Sequence, residues 1–121
     1  MQERPKLSGM KRLVLAFLNS WKGFKGAFKF EAAFRQEVAL AVVLIPLGVY
    51  LGKTGIEKAL LVGSVIIVMI VELLNTGIET VVDRIGLERH ELSGLAKDVG
   101  SSAVLLSFAL LSVIWGFILL G

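Results

Sequence analysis

The sequence predicts an all-α membrane protein, with three transmembrane helices preceded by an N-terminal amphipathic surface helix. Three observations lead there. Hydrophobic residues make up 55% of the chain and mean hydropathy is +0.80, above the roughly 45–50% apolar content of soluble domains, which also excludes a disordered chain. The apolar residues gather in three long, nearly uncharged stretches. The basic residues are distributed unevenly around those stretches. The 121 residues are expected to form one domain, 1–121. Cysteine is absent and histidine occurs once, as His90. That composition excludes disulfides, a thiolate metal site, a cysteine nucleophile and a multi-histidine zinc site.

The N-terminal arm comes first, over about residues 8–29. At 100° per residue, Met10, Leu13, Val14, Phe17, Leu18, Trp21, Phe24 and Phe28 share an arc of roughly 140°, with Lys11, Arg12, Lys22 and Lys29 to one side or opposite. Such a helix lies in the membrane interface, apolar face down and cations near anionic headgroups. The competing reading packs it on the protein's own spans. Leu13–Leu18 is too short an apolar run for a signal peptide, and Asn19-Ser20-Trp21-Lys22 is not a small-residue cleavage site.

The spans follow, over about 32–51, 58–82 and 97–120, each near the 20 or so apolar residues that cross a bilayer. Val38–Leu51 carries no charge and extends back through Ala32, Ala33 and Phe34; Pro46 sits inside it, where lipid-embedded helices tolerate a kink. Ala59–Val71 is uncharged and continues through Leu73, Leu74 and Ile78, interrupted by Glu72. Val99–Gly121 is 23 residues without a charge. The short turn Gly52–Lys58 makes the first two spans an antiparallel hairpin. Gly63, Ser64, Gly100, Ser101, Ala103 and Ser107 are small enough for close helix packing.

Residues 1–35 hold eight of the 13 basic residues (Arg4, Lys6, Lys11, Arg12, Lys22, Lys25, Lys29, Arg35), and the second loop with the first residue of the third span holds three (Arg84, Arg89, Lys97). The first turn holds only Lys53 and Lys58. The asymmetry orients the arm and second loop toward the cytoplasm of the inner membrane. Gly48-Val49-Tyr50-Leu51-Gly52-Lys53-Thr54 mimics a phosphate loop but has three residues between its glycines instead of four, and follows a membrane helix rather than a strand.

The charges inside the spans carry the functional signal. Glu72, Asn75, Glu79 and Asp83 are spaced 3, 4 and 4, which puts them on one stripe about 80° wide that runs to the cytoplasmic end of the second span. Three like charges on one face call for a cation among them: Arg35, Lys97 or a bound metal. Glu31, Arg35 and Glu37 cluster at the start of the first span, Glu31 and Arg35 at ion-pair spacing, and Lys97-Asp98 opens the third. Carboxylates at such a boundary suit Mg2+, a hard ion that takes one or two protein oxygens and completes its shell with phosphates. A partly desolvated carboxylate can also serve as a general base.

Three segments resemble the prokaryotic diacylglycerol kinase family: Glu31–Glu37, Glu72–Gly86 and His90–Ser102. Ser20-Trp21-Lys22-Gly23 of the arm resembles it too, whereas Asn19 and Phe30 depart from the family's usual residues. The resemblance implies a homotrimeric membrane enzyme that uses Mg-ATP to phosphorylate diacylglycerol to phosphatidic acid. It implies Glu72 as general base with Asn75 beside it, and Glu31 and Glu79 as metal ligands. It implies nucleotide contacts from Arg12, Asn19, Glu31, Glu79, Asp83, Glu88, Arg89, His90, Lys97 and Asp98. Lipid contacts would come from Arg12, Ser20, Trp21, Arg35, Glu72 and Ser101. The expected partners are diacylglycerol, ATP, membrane lipids and two further copies of the chain, with no nucleic acid. Undecaprenol as the acceptor, or a small proton-coupled transporter subunit, are the competing readings.

Overall fold

The structure, a computed structural model, describes residues 8–121. Arg4 and Lys6, counted in the charge asymmetry, lie outside them. The described residues form four α-helices and no strand: α1 (Gly9–Phe30), α2 (Ala32–Leu51), α3 (Gly55–Ile85) and α4 (Glu91–Leu120). The last three are long and apolar enough to cross a membrane.

α1 starts where the Ser8 hydroxyl accepts the Lys11 N–H at 3.5 Å, satisfying one of the donors that a helix start leaves free. It ends at a single extended residue, Glu31, after which α2 begins at once. The joint is held by Arg35, whose Nη1 donates to the carbonyls of Phe28 and Lys29 at 2.8 and 2.9 Å. The guanidinium therefore caps the C-terminus of α1, where the helix dipole favours a cation. The expected Glu31–Arg35 ion pair is not formed. That spacing pairs side chains only within one helix, and Glu31 stands in the break.

α1 barely touches the rest of its own chain. Ala27 is its only buried residue, while Met10, Leu13, Phe17 and Phe30 are each at least two-thirds exposed. The N-terminal part of its apolar face is not covered by the protein's own spans, as an interfacial helix requires, whereas Trp21, Phe24 and Phe28 line a cavity with Phe34, Val38 and Met69 of α2 and α3.

α2, α3 and α4 form an antiparallel bundle with α3 in the middle. The buried residues of α3, Leu61, Ser64, Val65, Val68, Glu72, Asn75 and Val82, fall within an arc of roughly 100°. One seam therefore begins apolar and ends polar. On α2 the buried face is Phe34, Glu37, Ala41 and Gly48, and the helix continues through Pro46 without interruption. Gly48 to Leu51 are helical, so the false phosphate loop is a helix end. A Cβ on Gly48 would lie 3.1 Å from the Leu61 Cβ, so the glycine marks a close α2–α3 approach.

Far from the polar end, Trp115 Nε1 donates to the Leu61 carbonyl at 3.2 Å and the Ser64 hydroxyl at 3.1 Å, joining α4 to α3. Ser64 and Ser107 are buried as small packing residues, whereas Ser101 and Ala103 are exposed and a Cβ on Gly63 would meet nothing within 4 Å.

Candidate active site

Three counts place one boundary of the hydrocarbon layer. Such a layer of about 30 Å takes about 20 helical residues. Counted from the Gly55 end of α3 it closes near Asn75; counted back from Leu120 on α4 it closes near Gly100; on α2 it closes at Ala32, next to Glu31. Asn75 and Gly100 do touch: a Cβ on Gly100 would collide with the Asn75 Oδ1. Beyond this level α3 and α4 continue as a polar stub toward the loop between them.

The acidic stripe sits at and beyond that boundary. Glu72 and Asn75 are buried, at 5% and 7% exposure, Glu79 is half-buried and Asp83 is exposed. Asn75 Nδ2 donates to Glu79 Oε1 at 3.1 Å, a hydrogen bond one turn along the helix. The cation expected among these carboxylates is Lys97: its Nζ lies 2.7 Å from Asp83 Oδ1, the only ion pair among the described residues. Arg35 is occupied at the α1–α2 joint. Lys97 and Gly100 are three residues apart on one face of α4, so α4 meets the stripe at two levels, by charge and by close approach.

Glu37 is the residue that sequence reasoning left out of the site. It is buried at 7% exposure, and its carboxyl meets that of Glu72 across the α2–α3 seam. The register explains the pairing. Gly48 lies on Leu61, and eleven residues further along both helices Glu37 meets Glu72. Glu37 Oε2 has no hydrogen-bond partner among the described residues, and neither does Asn75 Oδ1. The signal was present in the spacing: Glu37 shares a helix face with Phe34, Ala41 and Gly48.

Glu31 lies close enough to Glu72 for its charge to act on it, as does Glu79. Glu31 also lines a cavity of about 560 Å3 between α1 and α3, with Ser20, Phe24, Thr76 and Thr80. Trp21 is half-exposed with the Lys25 ammonium 5.7 Å from its ring, and Ser20 donates to the Ala16 carbonyl at 2.8 Å. At the start of α4 the His90 Nδ1 accepts the Leu92 N–H at 3.1 Å; Glu88 and Arg89 before it, and Asp98 and Ser101 further along α4, are exposed. Arg12 and Asn19 are both exposed. Arg12 lies roughly 28 Å along α1 from Glu31 at 1.5 Å per residue, away from the stripe, whereas Asn19 adjoins Ser20, which lines the cavity with Glu31.

The donor chemistry fits a hard cation. No group of three potential metal ligands converges among the described residues. Glu31 and Glu79, on different elements, are both carboxylates, the oxygen donors that a hard cation such as Mg2+ takes in ones or twos from protein.

The sequence profile of the family described as prokaryotic diacylglycerol kinase matches residues 18–119. The chain belongs to the prokaryotic diacylglycerol kinase family. Among curated relatives, a diacylglycerol kinase of Haemophilus influenzae is 52% identical over 94% of this chain and 97% of its own length. A diacylglycerol kinase of Pseudomonas aeruginosa is 48% identical over 94% and 93%, and one of Escherichia coli K12 is 46% identical over 93% and 92%. The stretch matched by the diacylglycerol kinase profile takes in Glu31, Glu37, the whole stripe, Lys97 and Gly100; of the candidate site residues only Arg12 precedes it.

Proposed function

We propose that this chain transfers the γ-phosphoryl group of ATP to the free hydroxyl of diacylglycerol, giving phosphatidic acid, at the cytoplasmic face of the inner membrane. The observation that carries the reading is the place of Glu72. It is a buried carboxylate that continues along its own helix into Asn75, Glu79 and Asp83, close to where three helices leave the hydrocarbon layer. A diacylglycerol hydroxyl lies at that depth, and ATP approaches from the water beyond it.

In this reading Glu72 accepts the hydroxyl proton as the lipid oxygen bonds to the γ-phosphorus and the bond to ADP breaks. General-base help of this kind contributes roughly 10²–10⁴-fold; positioning and charge compensation supply the rest. Asn75 holds Glu79 by its side-chain hydrogen bond. Glu31 and Glu79 would hold Mg2+, which offsets phosphate charge when bound. Lys97, paired with Asp83 at the stripe, would meet phosphate oxygens. Asp83, Glu88, Arg89, His90 and Asp98 would form the nucleotide side. Ser20, Trp21, Arg35 and Ser101 would form the lipid side, with the α1–α3 cavity between. Arg12 reaches neither side within one chain, and α1 leaves the N-terminal part of its apolar face uncovered. Both features support a homotrimer in which the arm of one copy serves a neighbour's stripe.

The test is phosphorylation of lipid in mixed micelles with γ-labelled ATP, offering diacylglycerol and undecaprenol separately. Labelled phosphatidic acid is expected, with Glu31→Ala and Glu79→Ala needing more Mg2+ for the same rate. Labelling of undecaprenol in preference, or ATP-independent flux that depends on Glu72, would overturn the assignment.

A further inference from the structure

The contact between Asn75 and Gly100 is not explained by helix packing alone. Asn75 is an amide with two ends, buried at 7% exposure. Its Nδ2 end donates to Glu79 at 3.1 Å, while its Oδ1 end has no hydrogen-bond partner and rests on the backbone of α4 at Gly100. A Cβ at residue 100 would occupy the space that Oδ1 fills. A short, buried amide cannot yield as the tip of a long chain would, so any side chain at 100 must rotate the Asn75 amide or push α4 away.

Other glycines on these helices are different. A Cβ on Gly116 of α4, or on Gly63 or Gly77 of α3, meets nothing within 4 Å. Gly100 is thus the position on α4 where the missing side chain has a consequence for a polar group. That group is the hydrogen-bond donor of a stripe carboxylate.

We propose that Gly100 is a positioning residue: by lacking a side chain it lets α4 hold the Asn75 amide in the one orientation that aims Nδ2 at Glu79. Backing a carboxylate from behind fixes its direction, and loss of such a partner lowers metal affinity or activity by about 10–100-fold. The orientation of the amide stands on the geometry. Its effect on turnover rests on the reading of Glu79 as a ligand of Mg2+ given above.

Two measurements separate the two. The chain has two asparagines, Asn19 and Asn75, so selective 15N-asparagine labelling gives two side-chain amide signals. Gly100→Ala is expected to move the Asn75 signal and leave that of Asn19 in place; Glu79→Gln should move the same signal, and Gly116→Ala should move neither. An Asn75 signal unchanged in Gly100→Ala would overturn the inference, whatever the chain's activity. In the kinase assay Gly100→Ala is expected to lower turnover about 10-fold and to raise the Mg2+ needed for half-maximal rate, with Gly116→Ala at the unmodified rate. In an Asn75→Ala background Gly100→Ala should cost nothing further. An equal cost in both backgrounds would show that Gly100 does not act through Asn75. If Gly100→Ala alone fails to fold, the double variant, which lacks the colliding amide, is expected to fold; its failure would also overturn the proposal. A moved signal with no lipid phosphorylation by the unmodified chain would instead overturn the function and leave the positioning intact.

Discussion

Burial alone does not distinguish Glu72 from Glu37, since both carboxyls lie in the same seam with almost no exposure. Their neighbours do. Glu72 continues along its own helix into Asn75, Glu79 and Asp83, a graded path from lipid to water. Glu37 is followed on its buried face by Ala41 and Gly48, with no further polar group. This difference is why the proposed function assigns the proton acceptor to Glu72 and not to Glu37. Glu72→Gln keeps the shape and removes the charge, and a buried amide costs far less than a buried carboxylate. Turnover in the micelle assay should fall below a tenth of the unmodified rate, while size-exclusion behaviour stays the same. A Gln variant with more than that rate would mean that the hydroxyl proton goes elsewhere.

Between elements, α4 is fastened to α3 by different means at the two ends. At the stub end the fastening is ionic and exposed, Lys97 to Asp83, and in water such a pair contributes little to stability. At the far end it is the Trp115 indole on Leu61 and Ser64, within the apolar layer. Hydrogen bonds between membrane helices contribute about 0.6 kcal/mol each on average. Trp115→Phe keeps most of the ring and loses the donor. It should lower the thermal midpoint in detergent by a few degrees and leave the lipid phosphorylation rate unchanged, because the tryptophan is far from the stripe. An unchanged midpoint would show that the bundle does not use this bond.

For the whole molecule, the Lys and Arg asymmetry and the position of the stripe must agree if ATP is to reach Glu72. The exposed end of the stripe, Asp83 and Lys97, lies beside the loop that joins α3 to α4. The opposite turn, at Gly52–Thr54, carries no site residue. A cysteine introduced at Gly55 is expected to react with an impermeant thiol reagent in intact cells, and one at Gly94 only after the membrane is opened. The absence of native cysteine keeps the background clean. Labelling of Gly94→Cys but not Gly55→Cys would invert the topology and put the carboxylates on the side without ATP.

The three spans, the exposed surface helix and the acidic stripe were all legible in the chain, because hydropathy and the 3.6-residue period are properties of one segment at a time. The family resemblance was legible for the same reason: it rests on runs of contiguous residues. Relations between segments were not. Arg35 stood at ion-pair spacing from Glu31, yet the one-residue break turned it onto the carbonyls of Phe28 and Lys29. Lys97 was one of three possible partners for the stripe until the α3–α4 approach set it on Asp83. Glu37 read as a boundary charge until the α2–α3 register brought it to Glu72, and Gly100 read as one small residue among several until it met the Asn75 amide. Each of these depends on how far one helix slides and turns against another. That displacement is set by side-chain packing along the whole seam, and no local pattern encodes it.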